Sequence, residues 1–318
     1  MKRNKFTNMF TAHREAGLGL MLLAIGVFLS FATKNFLTSS NLFNVLKQMT
    51  MVTIIGIGQT FVIISGGIDL CVGYTMTLCS MIMAYLLLDG TPVVLAVTIG
   101  ILCSVAVGLM NGLLVTKIKL PAFIVTLAMT NVVKGIILVM SKGYITSLSS
   151  QAIITLGQGS VGPVPVMVII MAVLVAFFSF VLSQTVFGNK VKAVGGNEVA
   201  ASLSGIDKDA VRMWVYVLSG LFCGIAGVII TGRLNGGNPN AAGTFDMDSI
   251  AAVIVGGTSL SGGSGTIPGM VLGALLMILI KNGLVLLRVN MYWQTVVIGL
   301  VIIVVCGLDS LSRNGKRT

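Results

Sequence analysis

The sequence predicts an all-α integral membrane protein, one domain over residues 1–318 with about ten transmembrane helices, some of them discontinuous. Two observations carry this. Hydrophobic residues make up 56% of the chain and charged residues 9%, against roughly a quarter charged in ordinary soluble domains, and the mean hydropathy is +1.03. The apolar residues also fall in runs of about 20 with short polar connections, the length a helix needs to cross a bilayer.

Residues 1–14 hold Lys2, Arg3, Lys5 and Arg14, and the apolar run 16–32 follows. Ser30-Phe31-Ala32 resembles a signal-peptide cleavage site, but the many later spans favour a retained first helix that starts in the cytoplasm. Span 2 covers 42–65 and is broken by Gly66-Gly67-Ile68-Asp69-Leu70. A glycine within a helix costs about 1 kcal/mol and an aspartate at membrane depth about 3 kcal/mol, so the break needs a reason. Two remain open. Asp69 caps span 3 at a membrane edge, or the glycines create a discontinuous helix beside a water-filled pathway.

Span 3 covers 71–88, a turn follows at Asp89-Gly90-Thr91-Pro92, and span 4 covers 93–115. Lys117 and Lys119 mark an inner loop. Span 5 covers 121–140, a glycine-, serine- and proline-containing loop 141–163, span 6 164–183 and span 7 213–231. The segment 232–249, with Asn235, Asn238, Asp246 and Asp248, reads as an outer loop. The apolar run 250–255 is too short to cross, so it needs the adjoining GGTSLSGGSG to complete it or is re-entrant. Spans 9 and 10 cover 267–280 and 292–306, and the tail carries Arg313, Lys316 and Arg317.

This order places 13 basic residues on inner segments and five on outer ones, with Lys47 and Lys134 inside spans. The bias predicts both termini in the cytoplasm. The net charge of +11 is thus a topology signal, and nucleic acid is not needed as a partner. Cys71, Cys79, Cys103, Cys223 and Cys306 form no CxxC pair, and His13 is the only histidine, so neither disulfide nor metal is expected. Without paired carboxylates or a catalytic histidine, enzyme readings fail.

The longest polar interruption, 185–212, reads as a docking loop. Asn197 N-caps a short helix over 198–204, Glu198 sits at its positive end, and Gly205 takes the left-handed position after its end. Ala200, Ala201 and Leu203 give a small apolar face, flanked by Lys190, Lys192, Lys208 and Arg212. The plainer alternative is an ordinary charged loop. An internal inverted repeat is also a candidate: NGLLV before Lys117 resembles NGLVL before Arg288, and GGIDLCVG resembles GGTSLSGG.

The stretches GQTFVIISGGIDLCVG, NGLLVTKIKLPAFIVTLAM, GNKVKAVGGNEVAASLSGI and IAAVIVGGTSLSGGSGTIPGMVLGAL resemble the signature segments of permease subunits of bacterial ABC sugar importers. The ribose, galactose and xylose permeases are the nearest group, with autoinducer-2 permeases as relatives. The resemblance implies a multi-pass protein of the bacterial plasma (inner) membrane that translocates a ribose-like monosaccharide. It implies three partners: a cytoplasmic ABC ATPase, an extracytoplasmic sugar-binding protein and a second permease copy or paralogue. It further implies that Gly195, Gly196, Asn197, Glu198, Ala200, Ala201 and Gly205 couple the chain to the ATPase. Many importers place Glu-Ala-Ala there, but Val199 holds the acidic position and Glu198 precedes it. Cys71, Ala122, Phe245 and Asp246 depart from the group too, and Phe245 and Asp246 are candidate contacts for the binding protein.

The chain lacks a GxxxxGK[ST] phosphate loop, so it needs no cofactor of its own, and ATP is expected on the partner. Asp69, Asn111, Thr258 and Ser259 are the expected pathway residues, since neutral sugars need hydroxyl-binding groups of modest affinity. The rival reading is an ion-coupled secondary transporter with broken helices, for which only Asp69 offers an acidic ligand.

Overall fold

In hydrocarbon each backbone polar group needs a partner within the protein, and this chain is almost wholly helical in consequence. The computed structural model describes residues 14–148, 150–290, 292–301, 303 and 307. The basic N-terminal tail with His13, the basic C-terminal tail and Cys306 at the end of predicted span 10 lie outside the described residues.

The helices are α1 (Arg14–Ala32), α2 (Ser39–Ile64), α3 (Val72–Leu88), α4 (Val93–Thr116), α5 (Ala122–Ser141), α6 (Gln151–Gln158), α7 (Val166–Gln184), α8 (Val186–Gly196), α9 (Glu198–Leu203), α10 (Lys208–Leu234), α11 (Phe245–Val255), α12 (Ile267–Leu286) and α13 (Tyr292–Val301). Among the described residues six are long and apolar enough to cross a membrane: α2, α4, α5, α7, α10 and α12. The other expected spans are shorter. The apolar part of α1, α3 and α13 fall below that length. Predicted span 8 is the 11-residue α11, which starts at Phe245 and so absorbs the end of the predicted outer loop. The glycine segment after it does not extend the helix. It turns the chain back into α12.

α2 is the centre, buried on nearly every side from Met49 to its end. α10 lies along α2, α3 and α4, and small residues let the backbones meet. A Cβ on Gly220 would stand 2.4 Å from the Ser104 carbonyl oxygen, and one on Gly227 2.6 Å from Cys79 Cβ. Phe61, Phe178, Phe187 and Phe222 fill the space where α2, α7, α8 and α10 converge, with centroids 4.7–6.3 Å apart. The outward faces of α4, α5 and α7 carry exposed Leu95, Leu102, Phe123, Ile124 and Phe177, as lipid contact requires.

The predicted loop 141–163 holds structure of its own. α6 crosses α10 so closely that a Cβ on Gly232 would lie 2.1 Å from the Ile153 carbonyl oxygen. Strand β1 (Thr146–Ser147) pairs antiparallel with β4 (Gly236–Gly237), and β2 (Ser160–Val161) with β3 (Val164–Pro165). These ladders tie the end of the molecule opposite α9.

Candidate functional site

The docking loop is built from caps. The Thr185 hydroxyl accepts from the Gly188 N–H at 3.2 Å and starts α8, which the sequence reading left as loop. The Asn197 side chain accepts from the Ala200 N–H at 3.0 Å and starts α9, as the sequence predicts. α9 ends in a Schellman motif: Gly205 sits at φ +79° with its N–H on Ser202, and the Ile206 N–H reaches the Ala201 carbonyl at 3.1 Å. The Asp207 carboxylate then accepts the N–H groups of Asp209 and Ala210 and opens α10, five residues earlier than the predicted span 7. In that first turn Lys208 and Arg212 both reach back to Glu198, Lys208 Nζ to Oε1 at 2.5 Å and Arg212 Nη2 to Oε2 at 2.6 Å. These hydrogen bonds, Lys208 first, hold the Glu198 carboxyl below the usual carboxylate range. Val199 and Leu203 stand exposed on the other side of α9.

α8 ends against two other glycine segments. The Gly263 N–H donates to the Ile64 carbonyl, the last of α2, at 2.8 Å. Gly195 lies in the same junction with no room for a side chain: its Cβ would fall 1.7 Å from that carbonyl oxygen and 2.7 Å from Gly263 N. Gly196, one residue on, would place a Cβ a comfortable 3.8 Å from Gly263 Cα. The junction therefore joins the docking loop, the C-terminal end of α2 and the turn between α11 and α12. α2 and α11 stop in the same way. Gly66 and Gly257 take positive φ, and the following N–H groups bond back five residues, Gly67 to Val62 and Thr258 to Val253. The resemblance between GGIDLCVG and GGTSLSGG is at least this shared helix stop. The NGLLV and NGLVL pair has no common partner, since Gly112 meets Met213 and Tyr216 while Gly283 meets Leu29.

The break at residues 66–71 is non-helical chain that starts at the exposed Gly66 and runs inward to the buried Asp69, Leu70 and Cys71. The carbonyls of Ile68, Asp69 and Leu70 are met by side chains. The Tyr216 hydroxyl donates to Ile68 O at 3.2 Å and Gln59 Nε2 to Asp69 O, while the Thr126 and Thr130 hydroxyls, 3.3 Å from Ile68 O and 3.0 Å from Leu70 O, share their protons with shorter bonds to Ala122 O and Thr126 O on their own helix. Asp69 is buried. Its Oδ1 accepts from the Cys71 N–H at 3.0 Å and its Oδ2 from the Ser219 hydroxyl at 2.9 Å. The helix cap itself is Cys71, and Asp69 closes the turn leading into it. At 1.5 Å per residue, Ser219 lies about 17 Å along α10 from Lys208, so the break sits well inside the bundle. The glycines do break the helix here, and buried protein side chains meet the carbonyls that the break leaves free.

Lys208, Arg212, Tyr216 and Ser219 are spaced at i, i+4, i+8 and i+11, a single face of α10. One face thus grips α9 at its start and the broken segment further along. Sequence reading named the two charges as flanks and missed Tyr216, Ser219, Gln59, Thr126 and Thr130; the helical spacing on α10 was the signal. A cleft of about 380 Å³ opens beside this face, walled by Ser65, Gly66, Lys119, Glu198, Lys208 and Arg212.

The four expected pathway residues are all buried within the protomer, Asp69 in the break, Asn111 on α4, and Thr258 and Ser259 side by side after α11. Relative exposure is 3% at Asp69, 1% at Asn111, 1% at Thr258 and 6% at Ser259. Asn111 is on α4, one residue before the Gly112 contact with α10. Thr258 and Ser259 belong to the turn that carries Gly262 and Gly263. Phe245 is half-buried and packs between α2 and α12, and Asp246 is half-buried beside it. Asp248 is the more deeply held carboxylate. It accepts from Lys281 Nζ and from the Thr244 hydroxyl at 2.7 Å, joining α11 to α12. Among the described residues no group of three or more His, Cys, Asp or Glu could hold a metal.

The family of branched-chain amino acid transport system permease components matches residues 41–306. The ribose import permease protein RbsC of Bacillus subtilis is 40% identical over 294 residues, 92% of this chain and 91% of that protein. RbsC of Haemophilus influenzae is 35% identical over 318 residues, 98% of each chain. The D-allose transport system permease protein AlsC of Escherichia coli is 36% identical over 293 residues, 92% of this chain and 90% of that protein. No solved structure matches. With the match spanning the broken helix, the docking loop and the glycine turn alike, the chain belongs to this family of multi-pass transport permeases.

Proposed function

We propose that this chain is the permease subunit of an ATP-driven importer for a neutral, ribose-like sugar, working with a cytoplasmic ATPase, an extracytoplasmic binding protein and a second permease. The observation that carries the coupling is the single face of α10 that holds α9 by two ion pairs and the broken segment by Tyr216 and Ser219. The exposed Val199 and Leu203 on α9 give an ATPase an apolar knob to receive. When that partner closes, α9 moves, and Glu198 carries the first turn of α10 with it. Tyr216 and Ser219 then shift residues 66–71 against α2 and α5. The glycine junction at Gly195 moves the α11–α12 turn in the same stroke. In this reading Gly195, Gly196, Asn197, Ala200, Ala201 and Gly205 shape the docking element, while Asp69 anchors the break. Asn111, Thr258 and Ser259 support moving parts. In this reading α9 faces the cytoplasm, as the charge bias of the sequence predicts.

The test is reconstitution with the ATPase and ribose-binding protein in liposomes. ATP inside is expected to drive labelled ribose inward, and scrambling 197–201 is expected to abolish both ATPase copurification and uptake while leaving the chain folded. Uptake that continues without ATP and stops with a protonophore would establish the ion-coupled reading instead.

A further inference from the structure

Lys134 is out of place. At 1.5 Å per residue it lies about 18 Å from the start of α5 at Ala122 and about 10 Å from its end at Ser141, within a helix apolar enough to span a membrane. It is nonetheless exposed on the protomer surface, as is Asn131 one turn before it. Among the described residues no carboxylate lies within 4 Å of its ammonium. Side chains on a helix lean toward its N-terminus, which here points Lys134 away from the nearer end and deeper along the span. The ammonium stands 5.7 Å from the ring centroid of Tyr74, the third residue of α3. That position is beside the broken segment, whose Leu70 carbonyl takes the hydroxyl of Thr130, one turn before Lys134. A lysine facing lipid at this depth costs about 3 kcal/mol. A polar, wet surface removes that cost.

We propose that Asn131 and Lys134 of α5, with Tyr74 of α3, line the aqueous translocation pathway and form a weak binding station for a neutral polyhydroxylated solute. The Asn131 amide and the Lys134 ammonium donate to hydroxyls, and the Tyr74 ring offers a flat face to the apolar side of a sugar ring. Donors with no carboxylate partner hold such a solute loosely, as onward passage requires. The inference rests on the proposed transport of a sugar, and it moves the pathway from the four buried residues to this face. It also ties the pathway to the break, since Thr130 and Lys134 are neighbours on α5.

The test is cysteine accessibility in native membranes with the complete transporter. Asn131→Cys and Lys134→Cys are expected to react with a charged thiosulfonate reagent at least tenfold faster than Val132→Cys, which is exposed on the adjoining flank of α5. The wild-type chain sets the baseline. If both react only with an apolar maleimide, the face meets lipid and the proposal fails. If both are inert while Lys134→Cys crosslinks to its own copy, the face is a sealed contact between permeases and the proposal fails too. With labelled ribose as the probe, Lys134→Met is expected to raise KM about tenfold, and Lys134→Arg less than threefold. Wild-type transporter that carries no ribose would count against the proposed substrate alone, and the cysteine pattern would still decide the pathway.

Discussion

Gly195 and Gly196 are adjacent, alike in sequence and opposite in their surroundings, which makes alanine at each a sharp test of the glycine junction. At Gly195 the new methyl would lie 1.7 Å from the Ile64 carbonyl oxygen, about half an ordinary contact distance. Backbone on both sides must part by more than 1 Å, because the three nearest atoms are all main chain. Such overpacking costs about 1–3 kcal/mol, and opening the Gly263 N–H to Ile64 bond of 2.8 Å leaves buried polar groups at a further cost of about 1–3 kcal/mol. The sum is about 2–6 kcal/mol. At roughly 2 °C per kcal/mol for a chain of this size, Gly195→Ala should lower Tm by about 4–12 °C. Gly196→Ala meets nothing nearer than 3.8 Å and ends α8 with a better helix former, so it should be neutral or raise Tm slightly. Thermal unfolding of the purified protein in one detergent measures both. Equal Tm values for the two variants would refute the close junction, and with it the rigid link between docking loop and α11–α12 turn.

Three further outcomes follow from named contacts. Because Glu198 titrates below its usual 4.5 in the folded chain, its ion pairs stabilise fully above that pH and are lost as pH falls through the lowered value. The Tm difference between wild type and Glu198→Gln should therefore be constant from pH 8 to 5 and shrink below about pH 4; a difference that grows on acidification would be the wrong sign. Ser219→Ala removes a donor from buried Asp69 and should cost about 1–3 kcal/mol in unfolding by denaturant, and an unchanged midpoint would show that the bond contributes nothing. Lys281→Met strands buried Asp248 and should cost about 3–5 kcal/mol, most of it recovered by adding Asp248→Leu; a double variant no better than the single one contradicts the pairing.

What the sequence made legible was local. Asn197 and Gly205 announce α9 because a cap needs only residues three or four apart, and the apolar runs announce the long helices for the same reason. The partners of Asp69 were not legible, since Ser219 is 150 residues away and a serine in an apolar span carries no mark of what it bonds. α11 was misjudged because Asp246 and Asp248 look like loop, and it is the Lys281 ammonium from α12, with the Thr244 hydroxyl, that lets Asp248 be buried in a helix. Lys134 was countable as a charge within a span, but which face it occupies depends on how α3 and α5 pack.

The broken segment also orders the birth of the molecule. Gln59 is already made when residues 66–71 leave the ribosome, but Thr126 and Thr130 come about 60 residues later and Tyr216 about 150 residues later. Until α5 and α10 arrive, three consecutive carbonyls and a carboxylate lack most of their donors, and lipid supplies none. The segment is complete only once α5 and α10 are in place.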